Sequence, residues 1–365
     1  MGVPWLSQVR FLYMVILLIT TALCLLYVAY ITSFQLTRTA SPLGTLVLSE
    51  ILSFEENTTQ AEVAKNTTVA NSSSEAPTVT TTNSTPPDLT PRVAAEVLYE
   101  AGHVDFGPQI CPDFGRDLKL LIAITSAPGH ESARMAIRET WGHFAIRNDV
   151  AVAFMLGLIS NETVNAKIEK EQDLYGDLIR GKFTDTYDNL TLKTISLLEW
   201  VDNYCPEAAF LLKTDDDMFI NVSRLLDFIA KRNPEQRTIF GRLAKKWIPV
   251  RNRKSKYYVS PNQFKPAVFP EFTTGPAYLL PVHLAKELYL AALNHTYCKL
   301  EDVFITGVVA KNLKIKRVNV PEFLNQRVSL TACRVQEGIS IHMVEGMEQY
   351  DVWKKLHEVD PECEE

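Results

Sequence analysis

Ala209-Phe-Leu-Leu-Lys-Thr-Asp215-Asp216-Asp217-Met-Phe-Ile-Asn221 decides how this chain folds and what it holds. A short apolar run leads straight into three consecutive carboxylates. Adjacent negative charges repel, so such a loop makes physical sense beside a cation. Carboxylate oxygens suit hard ions such as magnesium and manganese, which bridge protein carboxylates to a diphosphate. In open α/β sheets, ligands gather at the carboxyl ends of strands, where this triplet falls. A solvated acidic turn is the plain alternative. The apolar strand on one side and Met-Phe-Ile on the other favour a metal site.

Outward from the triplet, apolar runs at 119–125, 150–158, 178–183 and 208–213 have strand length and fit strands buried on both faces. Between them, 131–141, 162–175 and 190–204 carry helical spacing. This alternation predicts an α/β fold of βαβ units, with a mostly parallel sheet covered by helices. After residue 235 the pattern weakens into loops rich in Pro, Tyr and Lys, before helices return at 282–293, 301–312 and 346–358.

Four further clusters carry candidate chemistry. Glu301 and Asp302 open an otherwise apolar helix, where acids are favoured by the helix dipole and where a carboxylate is also placed to act as a general base. Arg134 and Arg138 are four residues apart on one helix face, suited to a pyrophosphate or to salt bridges with Glu131 and Glu139. His342 lies in the apolar run Ile339-Ser-Ile-His-Met-Val, where a lone histidine is more often a satisfied structural residue than a ligand. Residues 242–256 hold seven Lys or Arg and no acid, a solvated basic loop by default, with a place near anionic substrate groups as the alternative.

The amino-terminal third has different physics. Phe11 to Ile31 is a 21-residue run whose only non-hydrophobic members are Thr20 and Thr21, long enough to cross a bilayer as one helix. It exceeds a signal-peptide core and lacks an A-x-A site after it, so an uncleaved signal anchor behind a ten-residue cytosolic tail, 1–10, is expected. Eight of the 17 asparagines begin N-x-S/T sequons, all after this span, which predicts a lumenal body. Asn57, Asn66, Asn71, Asn83, Asn161 and Asn294 are the candidate glycosylation sites, while Asn189 and Asn221 fall inside structural motifs. Of residues 57–91, 22 are Ser, Thr, Asn or Pro and none is aromatic, a composition that cannot offset its chain entropy by burial. The surrounding region, 32–110, reads as a Ser/Thr/Pro-rich stem, and 111–365 as one domain.

The whole chain averages 46% hydrophobic and 22% charged residues, with a net charge of −6, and that balance argues against nucleic acid. Six cysteines are too few for a disulfide-built miniature scaffold. Five lie in 111–365, where an oxidising lumen favours disulfides. Sequence alone does not assign the pairs; Cys298 with Cys333 is one guess among several.

Five motifs in order resemble the β-1,3-galactosyltransferase family, glycosyltransferase family 31, over most of 111–365. Arg134 to Gly142 is similar to R-x-A-I-R-x-T-W-G. Tyr175-Gly-Asp-Leu-Ile resembles Y-G-D-I-I, and Phe183-Thr-Asp-Thr-Tyr-Asp-Asn-Leu-Thr-Leu-Lys193-Thr resembles the D-F-x-D-S-Y-x-N-L-T-L-K-T that follows it. Lys213 to Asn221 resembles K-T-D-D-D-x-F-V-N, and Glu301 to Gly307 resembles E-D-V-Y-x-G.

The resemblance implies a GT-A fold and inverting transfer from a UDP-sugar, with Mn2+ or Mg2+ as cofactor. It makes Asp217 the main metal ligand, with Asp215 on the nucleotide or metal side and His342 completing the metal shell. It makes Asp302 the base for the acceptor 3-hydroxyl. Arg134, Arg138, Lys193, Lys213 and Asp216 become donor-side candidates. It further implies galactose from UDP-galactose, with N-acetylglucosamine or N-acetylgalactosamine as alternatives, and a glycan acceptor on glycoprotein or glycolipid. The expected location is the Golgi membrane, single-pass type II, with a homo-oligomer left open. A non-catalytic binding or chaperone relative is the alternative of another class. One departure stands out: where many members have S-G-x-G-Y-V-L-S, this chain has Thr274-Gly-Pro276-Ala277-Tyr-Leu-Leu-Pro281, and Pro and Ala are less permissive than Gly.

Overall fold

The computed structural model describes residues 92–358. The tail at 1–10, the membrane anchor at 11–31, most of the stem, and Asn57, Asn66, Asn71 and Asn83 lie outside the described residues. Among the described residues, no helix is long and apolar enough to cross a membrane.

Eleven strands are described: β1 (His103–Asp105), β2 (Leu120–Thr125), β3 (Val150–Leu158), β4 (Leu178–Thr184), β5 (Phe210–Asp215), β6 (Met218–Ile220), β7 (Thr238–Ala244), β8 (Phe272–Pro281), β9 (Lys316–Asn319), β10 (Phe323–Leu324) and β11 (Ser340–His342). Eight form one sheet in the order β1-β4-β3-β2-β5-β8-β7-β9, and β10-β11-β6 form a second, small one. The run β4-β3-β2-β5 is parallel throughout, as the βαβ alternation demands. From β5 onward the sheet turns mixed: β8 is antiparallel to both β5 and β7, and β7 pairs β9 in parallel.

The pleat sorts side chains to two cores. Leu121 and Ala123 of β2 and Leu211 of β5 join the core that includes Ile195, Leu198 and Trp200 of the helix Leu190–Tyr204. Leu120, Ile122, Ile124, Phe210 and Leu212 face the other way, toward Ile137, Trp141, Ile168 and Leu225. Every residue of β2 is buried, which is the signature of a strand covered on both faces. Each fully buried Leu or Ile stabilises by about 1.5–3 kcal/mol over its exposed state, so these two layers hold β5 rigidly beneath the acidic loop.

One boundary and one helix type differ from the sequence expectation. Residues 93–110, expected as stem, pack against the domain. Ala95 is buried, β1 pairs β4 at the sheet edge, Tyr99 Oη donates to Glu199 Oε2 at 2.6 Å, and Trp200 Nε1 donates to the Phe106 carbonyl at 2.6 Å. This segment is too short and mixed to show periodicity, and its partners lie about a hundred residues on. The helix expected at 301–312 is instead a π-helix over Val303–Val309 running into an α-turn at Ala310–Asn312. There Thr306 Oγ1 donates to the Asp302 carbonyl and to that of Thr273, tying the widened turn to β8. A Cβ on Gly307 would meet Phe272 Cβ at 3.1 Å, so the glycine allows that close approach.

The suggested Cys298–Cys333 pairing is not formed. Cys298 is a buried free thiol, Cys333 is bonded in another disulfide, and Cys111 pairs with Cys205. Among the sequons, Asn161 and Asn294 are exposed, whereas Asn221 is buried and caps the helix Val222–Ile229 by accepting from Arg224 N. A glycan on Asn221 would have no room.

Candidate active site

The end of β5 builds the site. Parallel register sets Thr125 of β2 beside Asp215, and Thr125 Oγ1 donates to Asp215 Oδ1 at 2.7 Å. The same oxygen accepts from Lys213 Nζ at 2.6 Å, and Lys213 also donates to the Gly275 carbonyl on β8 at 2.9 Å. Glu301 Oε2 lies 3.7 Å from Lys213 Nζ, and Glu301 Oε1 accepts from Tyr278 Oη at 2.6 Å. Burial alone would depress the Lys213 ammonium, but Asp215 and Glu301 outweigh it and hold it above the ordinary lysine value. Glu301 goes the other way: burial pushes its carboxyl up to about 7, against the pull of Lys213. Lys213 is thus a buried cation shared among carboxylates.

Asp302 stands one residue further on, at the start of the π-helix. Its Oδ1 accepts from Val303 N at 2.8 Å and its Oδ2 from Gly275 N at 3.0 Å. Two backbone donors fix the carboxylate plane. Burial raises its pKa, and those N–H groups and Lys213 only partly oppose this. A carboxylate held in place and made more basic is what a general base requires.

Asp217 and His342 meet through the second sheet. Antiparallel pairing of β11 with β6 sets His342 opposite Met218, so His342 Nε2 lies 3.2 Å from Asp217 Oδ2. Among the described residues, Asp217 Oδ1 is buried without a hydrogen-bond partner, a costly state for a carboxylate oxygen unless a cation meets it. An orphaned carboxylate oxygen beside an imidazole nitrogen suits manganese or magnesium, and these two residues fit such an ion. Among the described residues, no group of three His, Cys, Asp or Glu side chains converges enough to enclose a metal, so non-protein oxygens would have to complete any shell. Asp215 is less available than Asp217, because Lys213 and Thr125 already occupy its Oδ1.

The middle aspartate faces the β2 loop. Asp216 Oδ2 accepts from Ser126 Oγ at 2.7 Å and lies 2.9 Å from His130 Nδ1. Lys193 is buried beneath it, donating to Asp185 Oδ1 at 2.9 Å and to the Ser126 carbonyl at 2.7 Å. Arg134 is wholly buried and its donors are taken: Nε and Nη2 grip Glu171, Nη1 reaches Ser126 Oγ and the Ala127 carbonyl, and Nη2 also reaches the Pro128 carbonyl. Arg138 is held by Glu171 and Asp177. The partners weighed from sequence, Glu131 and Glu139, are therefore not the ones used. Arg134 and Lys193 shape the Ser126–His130 turn that holds Asp216 rather than present free charge to a ligand.

A family profile described as Galactosyltransferase matches residues 132–321, a span that runs from the Arg134 helix past Asp302. The chain belongs to the galactosyltransferase family. Within it, the chain is 34% identical over 242 residues to beta-1,3-galactosyltransferase 5 of Pan paniscus, covering 65% of this chain and 80% of that one. It is 33% identical over 269 residues to human beta-1,3-galactosyltransferase 2, covering 71% and 63% respectively. The solved galactosyltransferase LgtC, in complex with donor and acceptor sugar analogs, is 8% identical with a TM-score of 0.36, covering 66% of this chain and 98% of that one, too distant a likeness to argue from. As a galactosyltransferase-family member, the chain is a glycosyltransferase enzyme.

For this galactosyltransferase-family site, sequence reasoning missed Thr125, Ser126, His130, Glu171, Asp177, Asp185, Gly275 and Tyr278. A signal existed for the first two. Thr125 ends β2 and Ser126 follows it, as Asp215 ends β5 and Asp216 follows, and neighbouring parallel strands place their ends together.

Proposed function

We propose that the domain, of GT-A type, transfers galactose from UDP-galactose in β-1,3 linkage, with inversion, to the 3-hydroxyl of an acceptor sugar on a glycoprotein or glycolipid. One observation carries this: the orphaned Asp217 oxygen beside His342 follows the end of β5, and Asp215 at that same end is linked through Lys213 and Gly275 to the fixed base Asp302. Family membership and the printed names of the relatives support galactose as the sugar.

In a single displacement, Asp302 accepts the acceptor hydroxyl proton while that oxygen bonds to the anomeric carbon. The bond to the diphosphate breaks and UDP leaves with the electron pair. Asp217 and His342 would hold manganese or magnesium, which when bound neutralises charge on the diphosphate. Lys213 donates to Asp215 Oδ1 and to the Gly275 carbonyl, and the N–H of Gly275 aims Asp302. We take the chain as a type II Golgi membrane protein with its anchor at 11–31 and its domain lumenal, a reading supported by the sequons after the apolar span.

A panel of UDP-sugars assayed with the full chain, with and without manganese, tests this. Manganese-dependent transfer from UDP-galactose is expected. Transfer from UDP-N-acetylglucosamine or UDP-N-acetylgalactosamine instead would replace the donor. No transfer, no hydrolysis and no UDP binding would remove the proposal of transfer from a UDP-sugar altogether. Asp217→Ala should weaken manganese-dependent UDP binding on the order of 10²-fold in calorimetry, the worth of a lost charge-assisted contact. Unchanged affinity would refute its role as ligand.

A further inference from the structure

Near Asp302, two tyrosines and a lysine stand in the open. Tyr187 and Tyr257 are 46% and 48% exposed, high for aromatic residues in an ordered framework. Lys256 Nζ sits over both rings, 5.8 Å from the centre of Tyr187 and 5.0 Å from that of Tyr257. Among the described residues, no carboxylate pairs with Lys256. An exposed cation–π contact is worth only about 0.5–1 kcal/mol, so this ammonium is easily drawn to a stronger anion.

The three side chains come from two loops that are both anchored beside the base. Tyr297 Oη donates to the Asp188 carbonyl at 2.6 Å, and Lys299 Nζ donates to Asp188 Oδ1 at 2.7 Å. The turn carrying Tyr187 is therefore tied to the segment that leads into Glu301 and Asp302. Consistent with that nearness, burial first, then Tyr257, Asp302, Asp188 and Asp215, push the Tyr187 phenol up to about 12, so it stays a hydrogen-bond donor at neutral pH.

The second loop is equally fixed. Arg251 clasps the carbonyls of Val259 and Phe264 at 2.7 and 2.6 Å, and Val250 bridges to Tyr258. Ser255 N donates to the Asn252 carbonyl and Tyr257 N donates to Ser255 Oγ, which shapes the turn presenting Lys256 and Tyr257. At its base Trp247 packs edge-on against Phe272, three residues before Gly275. Rigid aromatic faces held this way suit a pyranose ring, whose C–H face is apolar and whose rim is polar. No acidic residue occurs in 242–256, so this loop itself offers a ligand positive charge only, while Asp188 beside Tyr187 is paired with Lys299.

We propose that Tyr187, Lys256 and Tyr257 form the acceptor subsite, and that it favours a glycan bearing an anionic group such as a sulfate or carboxylate. This rests on Asp302 being the base, since the acceptor must lie on the base's open side. The tyrosine faces take the sugar ring; Lys256 leaves them to meet the anion.

The test measures initial rates of the full chain against β-linked galactose, N-acetylglucosamine and N-acetylgalactosamine glycosides and their 6-O-sulfates, at low and high salt. The sulfated form of the accepted sugar should show a KM about fivefold lower at low salt. Lys256→Ala should erase that advantage, and Lys256→Arg should restore it. Tyr257→Ala should raise KM for both forms about fivefold, while Tyr257→Phe, which keeps the ring, stays near the wild-type value. UDP affinity with manganese should not move in any of these variants. Wild-type acceptor KM in both Lys256→Ala and Tyr257→Ala would overturn the subsite, and equal KM for neutral and sulfated glycosides would overturn its anionic preference. Absence of UDP binding in the wild-type chain would instead bring down the transferase proposal on which the subsite depends.

Discussion

Asp302→Asn is expected to cut sugar transfer about 10³-fold while UDP binding with manganese stays near the wild-type value. The substitution keeps the shape of the side chain and removes the group that accepts the proton. One carboxylate oxygen becomes an amide nitrogen, so one of the two backbone donors, Val303 N or Gly275 N, loses its acceptor. That is a local cost of about 1–3 kcal/mol, which thermal unfolding separates from the kinetic loss. The wild-type pH profile gives a second check. Burial raises the Asp302 pKa, and the base works only when ionised. Wild-type kcat/KM should therefore fall as pH drops through a value above the ordinary carboxylate range, and level off above it. Near-normal turnover in the variant would mean that another group takes the proton.

Arg134→Ala carries the largest expected effect on stability. Breaking a buried ion pair by removing one partner costs about 3–5 kcal/mol, because the other charge stays buried. Glu171 keeps Arg138, which places the cost near the lower end. However, Ser126 Oγ and the Ala127 and Pro128 carbonyls also lose their donors. For a domain of this size, about 3 kcal/mol lowers Tm by about 6–12 °C. A direct contact from Arg134 to the donor diphosphate would give a different result: a marked loss of UDP affinity with Tm unchanged. Calorimetry and thermal melts on the same sample decide between them.

The comparison of sequence with structure follows the range of each interaction. Val150–Leu158, Glu162–Tyr175 and Leu190–Tyr204 match their expected limits end to end, because each is announced by its own run or period. β7, β8 and β9 were not foreseen. Thr238–Ala244 and Lys316–Asn319 mix polar and apolar residues, and they become strands only by pairing across gaps in the chain. The site divides in the same way. The acidic triplet and Glu301-Asp302 stand out as local clusters. His342 taken by itself reads as a structural histidine, and only the pairing of β11 with β6 brings it to Asp217. Arg134 has Glu131 three residues before it and Glu139 five after, yet its partner comes from the next helix, 37 residues on.

The Cys111–Cys205 bond closes a ring with a sequence separation of 94 that encloses β2, β3, β4 and the helices between them. In chain-entropy terms such a ring removes about 4–5 kcal/mol of freedom from the unfolded state. Its exit lies five residues before β5, the strand that carries the triplet. Three of the eight strands of the main sheet are thereby locked by oxidation directly upstream of the acidic triplet. Copies kept in a thiol-reducing milieu would lack that lock, so a free-thiol count on Cys111 and Cys205 reports whether a given sample carries it.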